Sequence, residues 1–202
     1  MSLVDFDRKY LSNKVKKIAG MDEAGRGPLA GPVVTALVVM PLDDASIIDG
    51  VNDSKKLSEK KREELYEVIM QRALKVEVQQ VDNETIDIIN ILEATRLGMN
   101  TCIENAKNDF DFLLCDYITG LKRIENFEAI VKGDAQSYSI ACASIVAKVT
   151  RDRIVREYEK MYPNFSFASH KGYGTKKHIE ELKKFGPTDV HRRTFIKHFV
   201  EL

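Results

Sequence analysis

Three short apolar segments each end on an acidic residue; they are residues 15–23, 112–116 and 130–134. Apolar runs of about four to eight residues bounded by turn signals are typical of buried strands, so these acids would lie at strand ends. Carboxylates gathered at one sheet edge repel each other, by about 4 kcal/mol for a pair 4 Å apart at an effective dielectric constant near 20. Cations or protons relieve that repulsion, so the pattern indicates a site for hard divalent metal ions. The candidate ligands are Asp22, Glu23, Asp116 and Asp134.

The first acidic pair is followed almost at once by Gly25-Arg26-Gly27. Successive side chains of a strand point to opposite faces, so Asp22 and Glu23 reach one site only if the strand ends or twists at this point. Glycine allows the backbone to approach a ligand closely, and arginine is suited to holding phosphate. Taken by itself, the segment equally fits a tight acidic turn with no ligand.

Two further loops carry basic and aromatic residues of the kinds that bind nucleic acid. In residues 52–57, two adjacent lysines and nearby backbone amides could hold phosphates. In residues 170–175, Lys171 supplies a cation and Tyr173 supplies a ring that can stack on a base or sugar. A solvated surface loop remains the alternative interpretation of each segment.

The chain has 202 residues and the composition of an ordinary soluble protein, with 44% hydrophobic and 31% charged residues. A chain of this length can bury a core without disulfides or structural metals. Three scattered cysteines argue against a disulfide framework or a zinc site, and we expect Cys102, Cys115 and Cys142 to be reduced core residues. The N-terminus is polar and basic, and the uncharged stretch 28–42 is too short to span a bilayer. We therefore expect a cytoplasmic protein with no membrane contact.

Charge is distributed unevenly along the chain, although its formal net value is zero. Residues 8–17 carry five Lys or Arg and no acid, and residues 170–198 carry eight against three acids, together with all four histidines. Basic ends around an acidic centre favour a phosphate-binding surface beside a metal site, while solvated tails are the alternative. Within the second segment, the His-Arg-Arg sequence at 191–193 fits either a phosphate clamp or the basic end of a solvated helix.

The order of predicted elements is that of an α/β domain. The predicted strands are residues 15–23, 33–40, 75–81, 112–116 and 130–134. The predicted helices are residues 58–74, 83–106, 139–161 and 175–185, followed by a short basic and aromatic tail. This order predicts a mixed five-stranded sheet flanked by helices, with a helical C-terminal region. In such a sheet the first and fourth strands can be neighbours, which would bring Asp22 and Asp116 together.

Several of these motifs together resemble the signature of ribonuclease HII, the type 2 ribonuclease H family. The matching segments, in chain order, are residues 20–34, 53–57, 131–135, 143–152, 170–175, 186–187 and 191–195. The resemblance therefore covers nearly the whole chain. Departures are small, since Cys142 and Thr194 stand where the family pattern favours alanine and serine.

The resemblance implies a ribonuclease H-like fold in one catalytic domain, with a core over about residues 1–160 and a helical substrate-binding region over about 161–202. It also implies an endonuclease that hydrolyses the RNA strand of RNA–DNA hybrids. Such an enzyme further cuts 5′ of single ribonucleotides embedded in duplex DNA, which would place it in ribonucleotide excision repair and DNA replication. We expect it to act as a monomer on these nucleic acids.

The resemblance also implies roles for individual residues. Its four metal-binding acids match Asp22, Glu23, Asp116 and Asp134. Gly25-Arg26-Gly27 matches the backbone element that senses the ribose 2′-hydroxyl, and Tyr173 matches the tyrosine that stacks on the sugar at an RNA–DNA junction. The lysines that we expect to contact substrate are Lys55, Lys148 and Lys171.

The implied mechanism uses two Mg²⁺ or Mn²⁺ ions about 3.5–4 Å apart to cleave the phosphodiester, leaving 5′-phosphate and 3′-hydroxyl ends. In this hypothesis Asp22 bridges both ions, while Asp116 and Asp134 each bind one. Glu23 completes the shell and orients water. Two alternatives remain open from the residues: a DNA nuclease or strand-transfer enzyme of the same superfamily, and a nucleic-acid-binding module whose acids are structural.

Overall fold

The computed structural model describes residues 2–116, 118, 120–121 and 125–201. Its strands are β1 (Ile18–Ala24), β2 (Val33–Val39), β3 (Lys75–Val81), β4 (Phe112–Asp116) and β5 (Phe127–Ile130). They form a five-stranded sheet in the order β3-β2-β1-β4-β5. The β1–β2 and β2–β3 pairs are antiparallel, whereas the β1–β4 and β4–β5 pairs are parallel. The mixed sheet predicted from the sequence is therefore confirmed.

Helices cover both faces of this sheet. They are α1 (Leu3–Arg8), α2 (Glu59–Arg72), α3 (Asn83–Ala106), α4 (Tyr138–Met161), α5 (Phe167–His170), α6 (Lys176–Phe185) and α7 (Arg193–Ile196). Alternate residues of β2 divide between two apolar clusters: Leu37 packs with Met99 of α3, and Val38 packs with the cluster that contains Ile145 of α4. This alternation is the period-2 pattern of a sheet that is buried on both faces.

Close contact between α4 and β1 depends on a glycine. A Cβ atom added to Gly20 would lie 2.0 Å from the Ser139 carbonyl carbon, well inside any possible contact distance. The small residues Ala141 and Ala143 that follow on α4 are fully buried. The small residues at the start of α4 thus allow this helix to pack closely against β1.

One predicted strand was placed incorrectly. The sequence pattern favoured a strand over residues 130–134, but β5 ends at Ile130 and Asp134 lies in a short 3₁₀ turn, Gly133–Ala135. Val131 is 62% exposed and Lys132 has a φ angle of +55°, so the chain leaves the sheet before the acid. The observed strand precedes the predicted one, and the two share only Ile130.

The N-terminal basic segment and the cysteines also have defined environments. No helix was predicted before residue 18, yet α1 packs on α4, and Asp7 accepts a 2.7 Å hydrogen bond from the Ser139 amide. Cys102, Cys115 and Cys142 are buried and free, as predicted. Within the described residues, none of the helices combines the length and hydropathy that crossing a bilayer requires.

Candidate active site

The ends of β1 and β4 place acidic side chains in one cavity. Met21 is paired with Cys115 in parallel register, so Asp22 and Asp116 follow at the same edge of the sheet. Both residues, together with Glu23, line a cavity of about 230 Å³. The structure thus brings together the acids that end the first and fourth strands.

The backbone after β1 lets Glu23 face the same cavity as Asp22. Asp22 Oδ1 accepts a 2.7 Å hydrogen bond from the Glu23 amide, which holds that carboxylate against the strand end. β1 stops at Ala24, and Gly25 adopts a φ angle of +101°, a conformation that other residues rarely take. A Cβ atom at Gly25 would also lie 2.3 Å from Arg151 Nε. Both backbone conformation and space therefore require glycine at this position.

Burial raises the pKa values of the acids at this site. Burial is the main cause that raises the pKa of Asp22 well above its usual value, and the charge of Glu23 adds to it. Burial also raises the pKa of Glu23, against the opposing effect of Arg26. The pKa of Asp134 is raised by burial, against the opposing effect of Lys55. A cation bound beside such an acid stabilises its ionised form.

Asp134 lies beside the cavity rather than in its wall. The amide of its neighbour Gly133 donates a 2.8 Å hydrogen bond to Asp116 Oδ1, which ties the two acidic segments together. Asp134 Oδ2 lies 3.3 Å from Lys55 Nζ. The Lys55 side chain is 76% exposed, so this ion pair is solvated and weak.

The carboxylates at the cavity are of the kind that binds a hard divalent cation, but they do not surround a single ion position. Asp22, Glu23 and Asp116 offer carboxylate oxygens to the cavity, and these are the ligands that Mg²⁺ and Mn²⁺ prefer. Among the described residues, no three His, Cys, Asp or Glu side chains are grouped closely enough to hold one metal ion. Binding of one cation by three of these carboxylates therefore requires side chains to rearrange.

Several of the predicted substrate contacts also line this cavity: Gly25, Arg26, Gly27, Lys55, Lys148 and Tyr173. Tyr173 is 40% exposed. Lys148 Nζ lies 5.5 Å from the centroid of its ring and Arg151 Cζ lies 5.6 Å from it. An exposed ring with a lysine beside it is suited to contact an anionic, stacked ligand.

Lys171, another predicted substrate contact, lies outside the walls of this cavity. Its Nζ is 3.6 Å from Glu59 Oε1 on α2, and its side chain is only 11% exposed. Its carbonyl oxygen accepts a 3.0 Å hydrogen bond from Arg151 Nη1. In this structure Lys171 therefore joins the Tyr173 loop to α2 and α4.

Two buried arginines, absent from the predicted site, hold its loops from behind. Arg192 donates to the carbonyl oxygens of Gly25, Arg26 and Gly31, at 2.6, 3.0 and 2.9 Å. Arg151 donates to those of Ala30, Pro32 and Lys171, at 3.1, 3.2 and 3.0 Å. Both guanidinium groups are completely buried. They fix the loop that follows β1 and link it to the loop that carries Tyr173.

Both sequence interpretations of Arg192 are therefore wrong, because it is neither a phosphate clamp nor part of a solvated helix end. Its guanidinium donates hydrogen bonds to three backbone carbonyl oxygens rather than to a ligand. The role of Arg192 could have been sought from the loop between β1 and β2. Its glycines and prolines leave carbonyl groups without strand partners, and these groups need a donor from elsewhere in the chain.

A serine pair at the cavity was also missed. The Ser54 and Ser144 hydroxyls both line the cavity and lie 2.9 Å apart. A hydrogen bond from Ser144 to Asp22 opposes the burial that raises the Asp22 pKa. Ser144 stands in a run of small apolar residues, where its hydroxyl gave no sign of a polar neighbour.

Residues 19–198 match the family model for ribonuclease HII. The chain belongs to the ribonuclease HII family. Ribonuclease HII of Caldicellulosiruptor bescii is 50% identical over 198 residues, which cover 98% of this chain and 95% of that protein. Ribonuclease HII of Bacillus subtilis is 47% identical over 195 residues, which cover 96% of this chain and 75% of that protein. The predicted family and the predicted enzyme class, a ribonuclease H hydrolase, are confirmed.

Solved structures of the family share this fold. Ribonuclease HII of Archaeoglobus fulgidus, in a complex with PCNA, superposes with a TM-score of 0.74 and 28% identity, covering 92% of this chain and 97% of that one. Bst-RNase HIII in complex with Mn²⁺ superposes with a TM-score of 0.67 at 16% identity, covering 86% of this chain and 64% of that one. The second likeness is one of fold alone, and together they confirm the predicted ribonuclease H-like architecture.

Proposed function

We propose that this ribonuclease HII family member hydrolyses the RNA strand of RNA–DNA hybrids and cuts 5′ of single ribonucleotides in duplex DNA. The products would carry 5′-phosphate and 3′-hydroxyl ends. The observation that carries the proposal is one cavity in which Asp22, Glu23 and Asp116 meet the Gly25–Gly27 loop and Tyr173. Hydrolysis directed to a ribonucleotide needs acids that hold cations, backbone groups that can reach a ribose, and a surface for stacking. Family membership supports the reaction class.

Cation binding is assigned to the four acids of the prediction: Asp22, Glu23, Asp116 and Asp134. When bound there, divalent ions would supply an activated water and would stabilise the charge that develops on the scissile phosphate. The raised pKa values of Asp22 and Glu23 support the assignment, because bound cations would offset the cost of burying both anions. Asp134 would contribute once its contact with Lys55 is released.

Ribose recognition is assigned to the backbone of the Gly25–Gly27 loop. A Cβ atom added to Gly27 would meet no heavy atom within 4 Å, so a nucleic-acid strand has room to approach this part of the loop. Arg192 holds the Gly25 and Arg26 carbonyls from the buried side, which keeps the loop in a fixed position. A fixed backbone group can distinguish ribose from deoxyribose because only ribose carries a 2′-hydroxyl that donates and accepts.

Strand positioning is assigned to Tyr173 and to lysines around it. The exposed Tyr173 ring would stack on the sugar at the junction, and Lys55 and Lys148 would contact phosphates beside the cavity. Lys171 would join them only if it left Glu59. Lys148 also has a partner, since its Nζ lies 2.8 Å from Asp152 Oδ1, but it lines the cavity, whereas Lys171 does not. We therefore expect substitution of Lys171 to weaken substrate binding less than substitution of Lys148.

A gel assay tests this function. Labelled duplexes of one sequence, containing no, one or several ribonucleotides, are incubated with Mg²⁺, Mn²⁺ or EDTA. We expect cutting 5′ of the ribonucleotide and within ribonucleotide runs, with either ion and not with EDTA. Mn²⁺ is included because the Bst-RNase HIII neighbour is a Mn²⁺ complex. Equal cutting of the all-DNA duplex would overturn the proposal in favour of a DNA nuclease.

The metal assignment is tested in the same assay by a matched pair of variants. Asp116→Asn removes a cavity carboxylate, while Asp109→Asn removes an exposed one that lies 3.6 Å from Lys75. We expect the first to abolish cutting and the second to leave it unchanged. Near-normal turnover of Asp116→Asn in Mg²⁺ would refute the assignment.

A further inference from the structure

Three of the four histidines form a buried network in the C-terminal region, outside the cavity. The rings of His170 and His178 are stacked, with centroids 4.0 Å apart and planes 9° from parallel. His178 Nε2 lies 3.0 Å from His191 Nε2. All three side chains are buried, and the network ends on Glu181 at one side and Thr188 at the other. The proposed hydrolysis leaves this cluster unexplained.

The neighbours of His170 fix which of its nitrogens carries the proton. The Gly172 amide donates a 3.0 Å hydrogen bond to His170 Nδ1, so that nitrogen is an acceptor. His170 Nε2 must then carry the proton, and it lies 3.0 Å from Glu181 Oε2. The neutral ring therefore satisfies a backbone donor and a carboxylate acceptor at once.

The neighbours of His178 and His191 fix their protons in the same way. A carbonyl oxygen only accepts, so His178 Nδ1 donates to the Tyr173 oxygen at 2.9 Å, and His178 Nε2 is an acceptor. His191 Nε2 must then donate to it. The remaining nitrogen, His191 Nδ1, accepts from the Thr188 amide at 3.0 Å. One set of neutral tautomers satisfies all of these contacts, and an added proton on any ring would bring two donors face to face.

The charged groups around the network do not favour an added proton. Burial lowers the pKa of His178 to about 4 and that of His191 to about 3. Glu181 contacts His170 and acts against this effect, as Glu159 does from a greater distance. Lys177 acts on His170, and Arg193 on His191, in the same direction as burial. Electrostatics and hydrogen-bond geometry therefore agree that the rings are neutral.

The network acts on the loop that carries Tyr173. The His170 ring accepts from the Gly172 amide and the His178 ring donates to the Tyr173 carbonyl, so the backbone is held at two adjacent residues of the loop. The Gly172 carbonyl in turn accepts a 2.7 Å hydrogen bond from the Leu29 amide, just beyond the Gly25–Gly27 loop. Both loops assigned to substrate are therefore connected to the histidines through backbone hydrogen bonds.

We propose that His170, His178 and His191 are positioning residues, whose neutral tautomers hold the Tyr173 ring in place to bind a nucleic-acid strand at the cavity. This inference rests on the proposed stacking role of Tyr173. The required state is His170 and His191 protonated on Nε2 and His178 protonated on Nδ1. His178 is the member whose ring contacts Tyr173, so loss of this ring has the largest effect on substrate binding.

The first test reads the tautomers of the wild-type protein at pH 7, by long-range ¹H–¹⁵N correlation of the histidine rings. The exposed His198 gives a reference signal from outside the network. We expect the two Nε2–H rings and the one Nδ1–H ring described above. A charged ring in the network, or an Nε2–H tautomer of His178, would overturn the proposal without any activity measurement and without reference to folding of a variant.

The second test compares His178→Asn with His178→Leu, two side chains of similar size, on a duplex that contains one ribonucleotide. The Asn amide can still donate to the Tyr173 carbonyl, whereas Leu cannot. We expect His178→Leu to raise KM about tenfold with kcat nearly unchanged, and His178→Asn to restore most of the binding. Equal KM values for the two variants would mean that His178 supports folding only, and the inference would fail.

A double-mutant cycle separates this inference from the proposed function. If His178 acts through Tyr173, His178→Leu has no further effect on KM in a Tyr173→Ala background. Independent effects of the two changes would overturn the inference and leave the stacking role intact. If Tyr173→Ala alone leaves KM unchanged, the stacking role itself fails, and this inference fails with it.

Discussion

The cavity acids and the buried histidines are two clusters of titratable side chains that differ in whether the protein itself satisfies their charges and hydrogen bonds. At the cavity, burial and the neighbouring charge of Glu23 raise the pKa of Asp22, so the anionic cluster is unfavourable by itself. In the histidine network, every ring nitrogen of His178 and His191 has a complementary partner, and burial keeps both rings neutral. The comparison indicates that the first cluster is built to be completed by a ligand, whereas the second is complete within the fold.

Among the changes that test this comparison, we expect Asp22→Asn to have the largest effect. We expect activity in Mg²⁺ to fall about a thousandfold, because charge stabilisation by bound metal contributes several kcal/mol to such reactions. The same change should raise the thermal midpoint in EDTA by a few degrees, since it removes a buried anion that its surroundings disfavour. Turnover and differential scanning calorimetry check the two effects.

The control for that prediction is Asp44→Asn, which alters a side chain that is 92% exposed and paired with Arg8. We expect it to change neither turnover nor the midpoint measurably. A lower midpoint for Asp22→Asn than for wild type in EDTA would show that the cavity acids are not in electrostatic conflict.

The next largest effect concerns Arg192, which joins the two regions. Arg192→Lys keeps the charge but loses the planar fork that serves three carbonyl oxygens. We expect the free energy of unfolding to fall by about 2–4 kcal/mol, because at least one buried carbonyl loses its charged donor. Urea denaturation measures this loss, and an unchanged midpoint would mean that water replaces the guanidinium at little cost.

Acidification should change the free energy of unfolding in opposite directions through the two clusters. Below about pH 6.5 the unfolded chain takes up protons on His178 and His191 that the folded protein does not, since burial lowers their pKa values to about 4 and about 3. Between pH 6.5 and 4, each histidine therefore lowers the free energy of unfolding by about 1.4 kcal/mol per pH unit. Asp22 acts in the opposite direction, because its raised pKa makes the folded protein bind a proton first.

Two variants resolve these opposing contributions in urea titrations at several pH values. His178→Asn should make the fall in stability on acidification shallower, whereas Asp22→Asn should make it steeper. If the three proteins gave parallel curves, neither cluster would be linked to folding as the structure predicts.

The smallest expected effect concerns Lys55→Ala, at the margin of the cavity. Its ion pair with Asp134 spans 3.3 Å, but the lysine is 76% exposed. We expect the free energy of unfolding in EDTA to change by less than about 1 kcal/mol. A larger loss, measured by urea denaturation, would mean that the acids are compensated inside the protein, which would weaken the contrast with the histidines.

Local patterns predicted the sheet and the acids that end its neighbouring strands. Asp22 and Asp116 could be placed together because an apolar run ends at each, and strand order determines which ends are neighbours. The same pattern named Asp134 but placed it at a strand end, whereas Asp134 follows β5 in a separate 3₁₀ turn. Its position depends on the Gly133 amide contacting Asp116 across the chain, which no periodicity encodes.

The residues behind the loops could not be predicted in the same way. Arg192 and the histidines are polar residues in a basic segment, and their composition is typical of an exposed surface. Their burial depends on carbonyl groups and ring nitrogens from distant segments meeting with complementary hydrogen-bonding geometry. Such complementarity is a property of the assembled fold, and one-dimensional charge patterns do not contain it.

The missing side chain at Gly20 determines how deep the cavity is. With the Ser139 carbonyl carbon 2.0 Å from where a methyl group would stand, even alanine at position 20 would push the start of α4 off the sheet. That helix brings Ser144 and Lys148 to the cavity. The distance from the carboxylates to the far wall is thus determined by one hydrogen atom in place of a methyl group, at a residue that does not line the cavity.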